Sequence, residues 1–379
     1  MAEYIHLFET VTEFNEKRQN DYLEPWLGYT IENSGISFNK TEYEKLLETP
    51  LTFNIVSSGT IVWKAQNTAY TTTIEYKLND GEWTSITSNT GASAPSISVS
   101  EGDVIQFGGN NATYSSGSSR YNTFSGSTAK FEVEGNIMSL IDSENFVTAT
   151  TLASSYTFYR LFRNCTGLTS TENLVLPATT LANDCYEDMF DGCTSLISAP
   201  ALPAETLADS CYQGMFGECT SLTTAPELPA TTLARNCYRS MFYGCTSLTT
   251  APELPATTLA RICYVNMFVN CTSLISAPAL PATTLAEGCY QSMFNGCTSL
   301  TTAPELPATT LADYCYNGMF SNCTNLNYIK CLATDISADF TNNWVNGVSS
   351  TGTFVTPQST SWTTGNNGIP TNWVRVDAS

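Results

Sequence analysis

CYRSMFYGCTSLTTAPELPATTLARI, residues Cys237–Ile262, is followed at once by CYVNMFVNCTSLISAPALPATTLAEG, residues Cys263–Gly288. The second stretch restates the first, with paired cysteines, Met-Phe, Leu-Pro and ATTLA at the same places. Cys-Tyr recurs at Cys185, Cys211, Cys237, Cys263, Cys289 and Cys315, always 26 residues apart. The second cysteine recurs at Cys193, Cys219, Cys245, Cys271, Cys297 and Cys323 with the same period, and a degenerate earlier copy, Ala149–Leu168, keeps only Cys165. Self-similarity at this period marks a repeat array, in which no unit can bury its own apolar face and each must stack on its neighbours.

Within one unit, Leu233, Cys237 and Met241 stand four apart, and Ala234, Tyr238 and Phe242 follow one step behind. That spacing predicts a short helix with one apolar face, ending near Gly244, a residue suited to a left-handed cap. The following CTSLTTAPELP is rich in Thr and Pro. It reads as a turn, a short strand around Leu222–Thr224 and an extended passage limited by proline. One helix and one strand per unit, stacked, predict a curved solenoid with a narrow parallel sheet.

Read together, C-x-x-L, Leu-Pro, a further Leu and Met-Phe-x-Gly-Cys resemble the BspA-like leucine-rich repeat over about residues 149–330. That family's units usually carry Ile-Pro and Ala-Phe at these places; here the units are somewhat longer and Met precedes Phe. The resemblance implies the architecture of the array and says little about function, because such repeats occur in many surface and virion proteins.

The flanks differ. In residues 51–137, Ile74, Tyr76 and Leu78 alternate with polar residues, and the turn Asn79-Asp80-Gly81 leads into EWTSI, a hairpin signal. Further strands are expected at Leu51–Val56, Thr60–Lys64, Ser96–Val99, Asp103–Phe107 and Lys130–Val133, together forming a small β-sandwich. The Ser-, Gly- and Asn-rich loop 108–127 is a candidate contact loop. Residues 1–50 hold two mildly helical stretches and read either as an attachment segment or as a helix packed on the sandwich. After Cys331 the period fails, and Phe340, Trp344, Phe354, Trp362 and Trp373 are expected to cap the open end of the array, with an exposed aromatic platform for sugars as the alternative. The fold expected is therefore multidomain α+β: segment 1–50, sandwich 51–137, solenoid 138–330 and aromatic cap 331–379.

Composition narrows the chemistry. The chain has 379 residues, only 13% charged, and a formal net charge of −20. That balance opposes nucleic acid and anionic membrane surfaces, since phosphate binding needs clustered Lys and Arg. No run of residues is long and apolar enough to span a bilayer. The N-terminus lacks a basic region followed by an apolar run, so no secretory signal is expected there. The fourteen cysteines stand eight apart within a unit, not at zinc spacing. They read as reduced core thiols, with stacked disulfides and a metal array as the competing readings. His6 is the only histidine, so a Cys or Ser nucleophile has no imidazole base. No catalytic, cofactor or metal site is expected.

Two sets of residues remain as a candidate binding surface. Glu227, Glu253 and Glu305 occupy one slot of the repeat, as a solvated acidic stripe or as carboxylates for glycoside or calcium chemistry. The outer slots of the expected helix vary between copies: Asn183, Asp184, Glu187 and Asp188; then Arg235, Arg239 and Tyr243; then Arg261; then Tyr314. A constant framework with changing exposed positions is how a repeat protein displays a distinct surface, although drift at solvent positions gives the same pattern. The segment 1–50 and the sandwich also look similar to the attachment ends of phage fibre and head-decoration proteins. The expectation is a non-enzymatic virion fibre or decoration subunit, assembled in the host cytoplasm and binding a host-surface glycan or protein. It docks on other virion proteins through residues 1–50 and forms a homo-oligomer, a trimer by analogy. The alternatives are a secreted bacterial surface adhesin of the BspA-like type and a carbohydrate-active enzyme.

Overall fold

Alternation of apolar residues builds the first sheet. In the computed structural model, which describes residues 30–32, 35–37, 40–334, 339–358 and 362–378, β1 (Thr30–Glu32) and β2 (Gly35–Ser37) pair antiparallel and precede α1 (Lys40–Glu48). The rest of the expected attachment segment, with His6, lies outside the described residues. Then come β3 (Leu51–Ser57), β4 (Gly59–Val62), β5 (Lys64–Ala65), β6 (Thr73–Leu78), β7 (Thr84–Thr87), β8 (Ser96–Val99), β9 (Val104–Gly108), β10 (Asn122–Thr123) and β11 (Lys130–Asn136). β12 (Leu168–Ser170) and β13 (Leu174–Val175) belong to the first repeat.

The main sheet is open and runs β12-β11-β3-β9-β6-β7, with β13 also on β11; β4 pairs with β8 and β5 with β10. Its pairs are antiparallel except β11 with β12 and β13, so the first repeat extends the sheet across residue 137. Leu51, Phe53 and Ile55 of β3 alternate inward and meet Phe107 and Phe131, whose rings lie 4.7 Å from that of Phe53. Trp63, 1% exposed, closes over this face and meets Phe124 at 4.8 Å. Each such side chain contributes about 1.5–3 kcal/mol by leaving water. The expected hairpin forms at 79–81: Asn79 takes φ +51° and ties the turn to β9 by accepting from Val104 N at 2.9 Å.

The repeats contain no helix, which corrects the expectation of one per unit. From Cys237 to Cys245, every odd-numbered amide reaches back three residues. Cys237 donates to Ala234 at 3.4 Å, Arg239 to Asn236 at 3.0 Å, Met241 to Tyr238 at 3.3 Å and Tyr243 to Ser240 at 3.1 Å. Every even-numbered amide leaves the unit instead: Tyr238 donates to Cys263 at 3.1 Å, Ser240 to Val265 at 2.8 Å and Phe242 to Met267 at 2.9 Å. An α-helix bonds i to i−4 within itself; this segment is a ribbon of successive β-turns bonded to the next unit. The cause is visible in φ. Asn236, Ser240 and Gly244 have φ of +57°, +55° and +71°, and a left-handed residue in every fourth position forbids a helix. The corresponding positions of the six full units hold Gly, Asn, Asp or Ser, except Glu218, Ile262 and Tyr314.

The ribbon has a period of four, so its buried columns mimic a helix face. Cys237, Tyr238, Met241 and Phe242 are all at most 1% exposed. Tyrosines 186, 212, 238, 264, 290 and 316 stack face to face with centroids 5.8–6.2 Å apart. Phenylalanines 162 to 320 do the same at 5.4–5.8 Å. The other arm is joined by single parallel bridges, Ser170 to Ser198, Ser198 to Thr224 and Thr250 to Ser276, rather than by the strand expected at 222–224. Pro226 and Pro229 have no amide to donate, which keeps each pairing this short.

Both ends of the stack are covered. Loop 108–127, the candidate contact loop, packs its arms against the first repeat, Tyr114 N donating to Thr157 O and Phe124 N to Leu161 O, each at 2.9 Å, while Ser118–Arg120 at its tip are exposed. At the other end, β14 (Tyr328–Lys330), β15 (Thr353–Thr356) and β16 (Val374–Asp377) form a parallel sheet. The period does not stop at Cys331. Phe320 N donates to Trp344 O at 2.8 Å and Asn322 N to Asn346 O at 2.7 Å, so Trp344 continues the ribbon in a shortened unit. Trp344 is fully buried, stacked on Tyr316 at 6.1 Å and Trp362 at 5.4 Å. Phe354 and Trp373 are buried with it, whereas Phe340 is half-buried.

Candidate binding surface

The sulfur columns are framework. All fourteen cysteines are free and buried. Burial pushes the thiols of Cys237, Cys271, Cys315 and Cys323 up to about 12, and those of Cys185, Cys193, Cys211, Cys219, Cys245, Cys263, Cys289 and Cys297 also rise. A buried neutral thiol is a poor nucleophile and a poor ligand. The second cysteine of each unit has a specific job: Cys245 Sγ donates to Phe216 O at 3.0 Å, as Cys271 does to Phe242 and Cys297 to Phe268. A residue there must be small, apolar and able to donate, and cysteine meets all three needs. Among the described residues, no three His, Cys, Asp or Glu side chains converge as metal ligands.

The exposed columns of the ribbon vary in charge along the stack. At the N-terminal end Arg160 holds Asp188, with Nε at 3.0 Å and Nη2 at 2.8 Å from Oδ2, and Arg163 Nε holds Asp191 at 2.7 Å. Glu187 accepts from Gln213 Nε2 at 2.7 Å. Burial, then the neighbouring charge of Asp188, raises its carboxyl to about 8. These two arginines were not singled out by periodicity; the signal is their offset of one unit plus two from Asp188 and Asp191.

The middle of the ribbon carries three arginines, interleaved with Asp209, Glu218 and Glu287. Arg235, Arg239 and Arg261 are exposed, and Tyr243 is half-buried beside them in the same run of turns. Arg235 N donates to Asp209 Oδ1 at 3.0 Å, and Arg261 pairs with Glu287 at 2.7 Å. Among the described residues no carboxylate lies within ion-pair distance of Arg239. Tyr314, 45% exposed, stands in the left-handed column units away, so the structure does not bring it to the arginines. Glu227, Glu253 and Glu305 are exposed on the proline-limited arm rather than the ribbon, and Glu305 pairs with Lys330 at 2.9 Å. The candidate residues thus fall into two groups on different arms of the unit.

The arginine-bearing stretch can engage carboxylate, phosphate or hydroxyl groups of a surface polymer. No helix among the described residues is long and apolar enough to cross a membrane. No protein-family model matches the chain, and comparison with curated proteins and with solved structures returns no match.

Proposed function

We propose that this chain is a non-enzymatic adhesion subunit of a virion fibre or head decoration. In this reading the repeats form a leucine-rich-repeat solenoid of the BspA-like type, residues 51–137 form a β-sandwich, and segment 1–50 docks on the particle. The solenoid displays its ribbon to a host-surface glycan or protein, and the subunit acts as a homo-oligomer. The observation that carries the binding role is the separation of roles within each unit: the Cys, Tyr, Met and Phe columns are at most 2% exposed, while the adjacent columns change charge from unit to unit. Fourteen buried, unpaired thiols are compatible with this setting, since a reducing cytoplasm keeps thiols free. The exposed positions of Glu227, Glu253 and Glu305 support solvation over general acid chemistry, which works in enclosed sites.

The test has two parts. Mass spectrometry of purified particles should contain the chain, and fluorescent chain should bind host cells, with the R235A/R239A double variant losing most of that binding at unchanged melting temperature. Absence from particles, together with presence on intact bacterial cells, would assign the adhesin instead. Undiminished binding by the double variant would remove the ribbon from recognition.

A further inference from the structure

A second surface lies on the N-terminal sheet, away from the repeats. A pocket of about 220 Å³ is lined by Pro50, Glu75, Trp83, Gly108, Ser139 and Ser143. The sheet places these groups by register. Glu75 of β6 stands opposite Gly108 of β9 and opposite Ser85 of β7, and Trp83 enters just before β7 begins.

Gly108 makes the floor. Its φ lies outside the left-handed region, so backbone conformation does not demand glycine there. A side chain would instead enter the space between two walls: its Cβ would stand 3.3 Å from Ser143 Cβ and 3.7 Å from Trp83 Cζ3. Trp83 is 46% exposed, whereas Trp63 is buried to 1%, so the Trp83 ring is open to a ligand. The walls divide by chemistry. Trp83 offers a flat apolar face; the exposed Glu75 carboxylate offers acceptors at the rim. Ser143 adds a hydroxyl held 3.4 Å from Asn110 Oδ1. Ser139 is committed to structure, since its Oγ donates to Phe107 O and accepts from Leu51 N at 2.9 Å each.

One flat apolar wall, a carboxylate and a hydroxyl around a small cleft match a pyranose ring, which is apolar on its C–H face and hydroxylated at its rim. The volume falls below the ~300–1,000 Å³ of sites for drug-sized ligands, which limits the occupant to a single ring. Glu75 and the net charge of −20 repel acidic sugars. We infer that this pocket binds one uncharged hexopyranose unit of a glycan, stacked on Trp83 over Gly108 with its hydroxyls on Glu75 and Ser143. The inference stands apart from the ribbon and from its arginines.

The experiment titrates the ¹⁵N-labelled full chain with glucose, galactose, mannose, N-acetylglucosamine and N-acetylneuraminic acid, following the Trp83 indole resonance. Binding through so few groups should saturate at about 1–10 mM. At least one neutral sugar should shift the indole saturably, and N-acetylneuraminic acid should not. Glu75→Gln should weaken that binding at least about tenfold, with Trp83→Ala abolishing it when read by ligand-observed saturation transfer. Gly108→Val, which fills the floor, should abolish it too; if that variant fails to fold, the surface variants Trp83→Ala and Glu75→Gln decide. The inference is overturned if no neutral sugar shifts the indole, if the acidic sugar binds as well as the neutral ones, or if Trp83→Ala retains binding. The ribbon reading is read separately, by cell binding of R235A/R239A, so either can fail alone.

Discussion

Ile262 is where the ribbon conflicts most openly with its sequence. It has φ +52° in a column otherwise held by Asp184, Ser210, Asn236, Gly288 and Tyr314, and a β-branched residue is the worst occupant of the left-handed region. The informative comparison is Ile262→Gly against Ile262→Ala, because both delete the same packing, including the Cγ2 atom that leans over Gly288. If the segment were helical, Ala would be the better residue by about 1 kcal/mol. In the left-handed region the order reverses: a Cβ costs roughly 1–2 kcal/mol, offset by the 0.5–1 kcal/mol that glycine loses in chain entropy. The glycine variant should therefore be more stable than the alanine variant by about 0.5–1 kcal/mol, so the two backbone conformations predict opposite signs. Urea titration of the full chain, reading midpoints at equal slope, resolves a difference of this size. An alanine variant as stable as the glycine variant, or more so, would refute the ribbon and restore the helix.

Three further outcomes follow from the packing. Native protein at pH 8 should leave Ellman's reagent unreacted, while denaturation without reductant should release fourteen reactive thiols; a clearly lower count would mean that columns are oxidised. Tyr212 Oη is buried without a hydrogen-bond partner, so Tyr212→Phe should be neutral or stabilising by up to about 1–2 kcal/mol in the same urea assay, and a loss above that size would reveal a bond to the hydroxyl. The protonated form of Glu187 is favoured in the fold, from an ordinary 4.5 to about 8. Its stabilisation is full below pH 4.5 and is lost as pH rises through 8. Glu187→Gln should therefore gain stability relative to the wild type between pH 5 and pH 9, by about 1–2 kcal/mol after screening of a partly exposed group, and a constant difference across that range would refute the assignment.

The strands of residues 51–137 were legible because alternation has a period of two and nothing else imitates it. Leu51–Val56, Ser96–Val99 and the turn at 79–81 stand where their residues put them. The repeat unit was legible in its length and in its buried columns, but not in its backbone. Three turns of a period of four and of a period of 3.6 bury nearly the same residues, so Cys237, Tyr238, Met241 and Phe242 satisfy both. The distinguishing signal sat in the exposed column, where Asn236, Ser240 and Gly244 repeat residues that tolerate positive φ. The C-terminal unit escaped because it is shortened and has exchanged its cysteines. Trp344 and Gly347 align with Met319 and Asn322 at 25 residues rather than 26. The pocket at Trp83 involves four separate stretches of chain, and no local pattern announces it.

The hydrogen bonding also explains why the variable columns can vary. In the ribbon each unit donates forward, Phe242 to Met267, while in the other arm bonds run both ways, Ile275 N back to Thr249 O at 2.9 Å and Leu207 N forward to Thr232 O at 3.0 Å. Each unit is therefore fixed to both neighbours mainly through main-chain groups, and side chains in the exposed columns add little to that bonding, Asp209 accepting from Arg235 N being one case. Where such a side chain does bond, as Arg160 does with Asp188 and Gln213 with Glu187, it adds charge pairing worth little beside the buried rings. Substitution at Arg235 or Arg239 should then change recognition without changing the scaffold, whereas substitution in the tyrosine or phenylalanine columns should change the scaffold first. A main-chain lattice that is indifferent to its outer side chains lets one copied unit present different chemistry at each level of the stack.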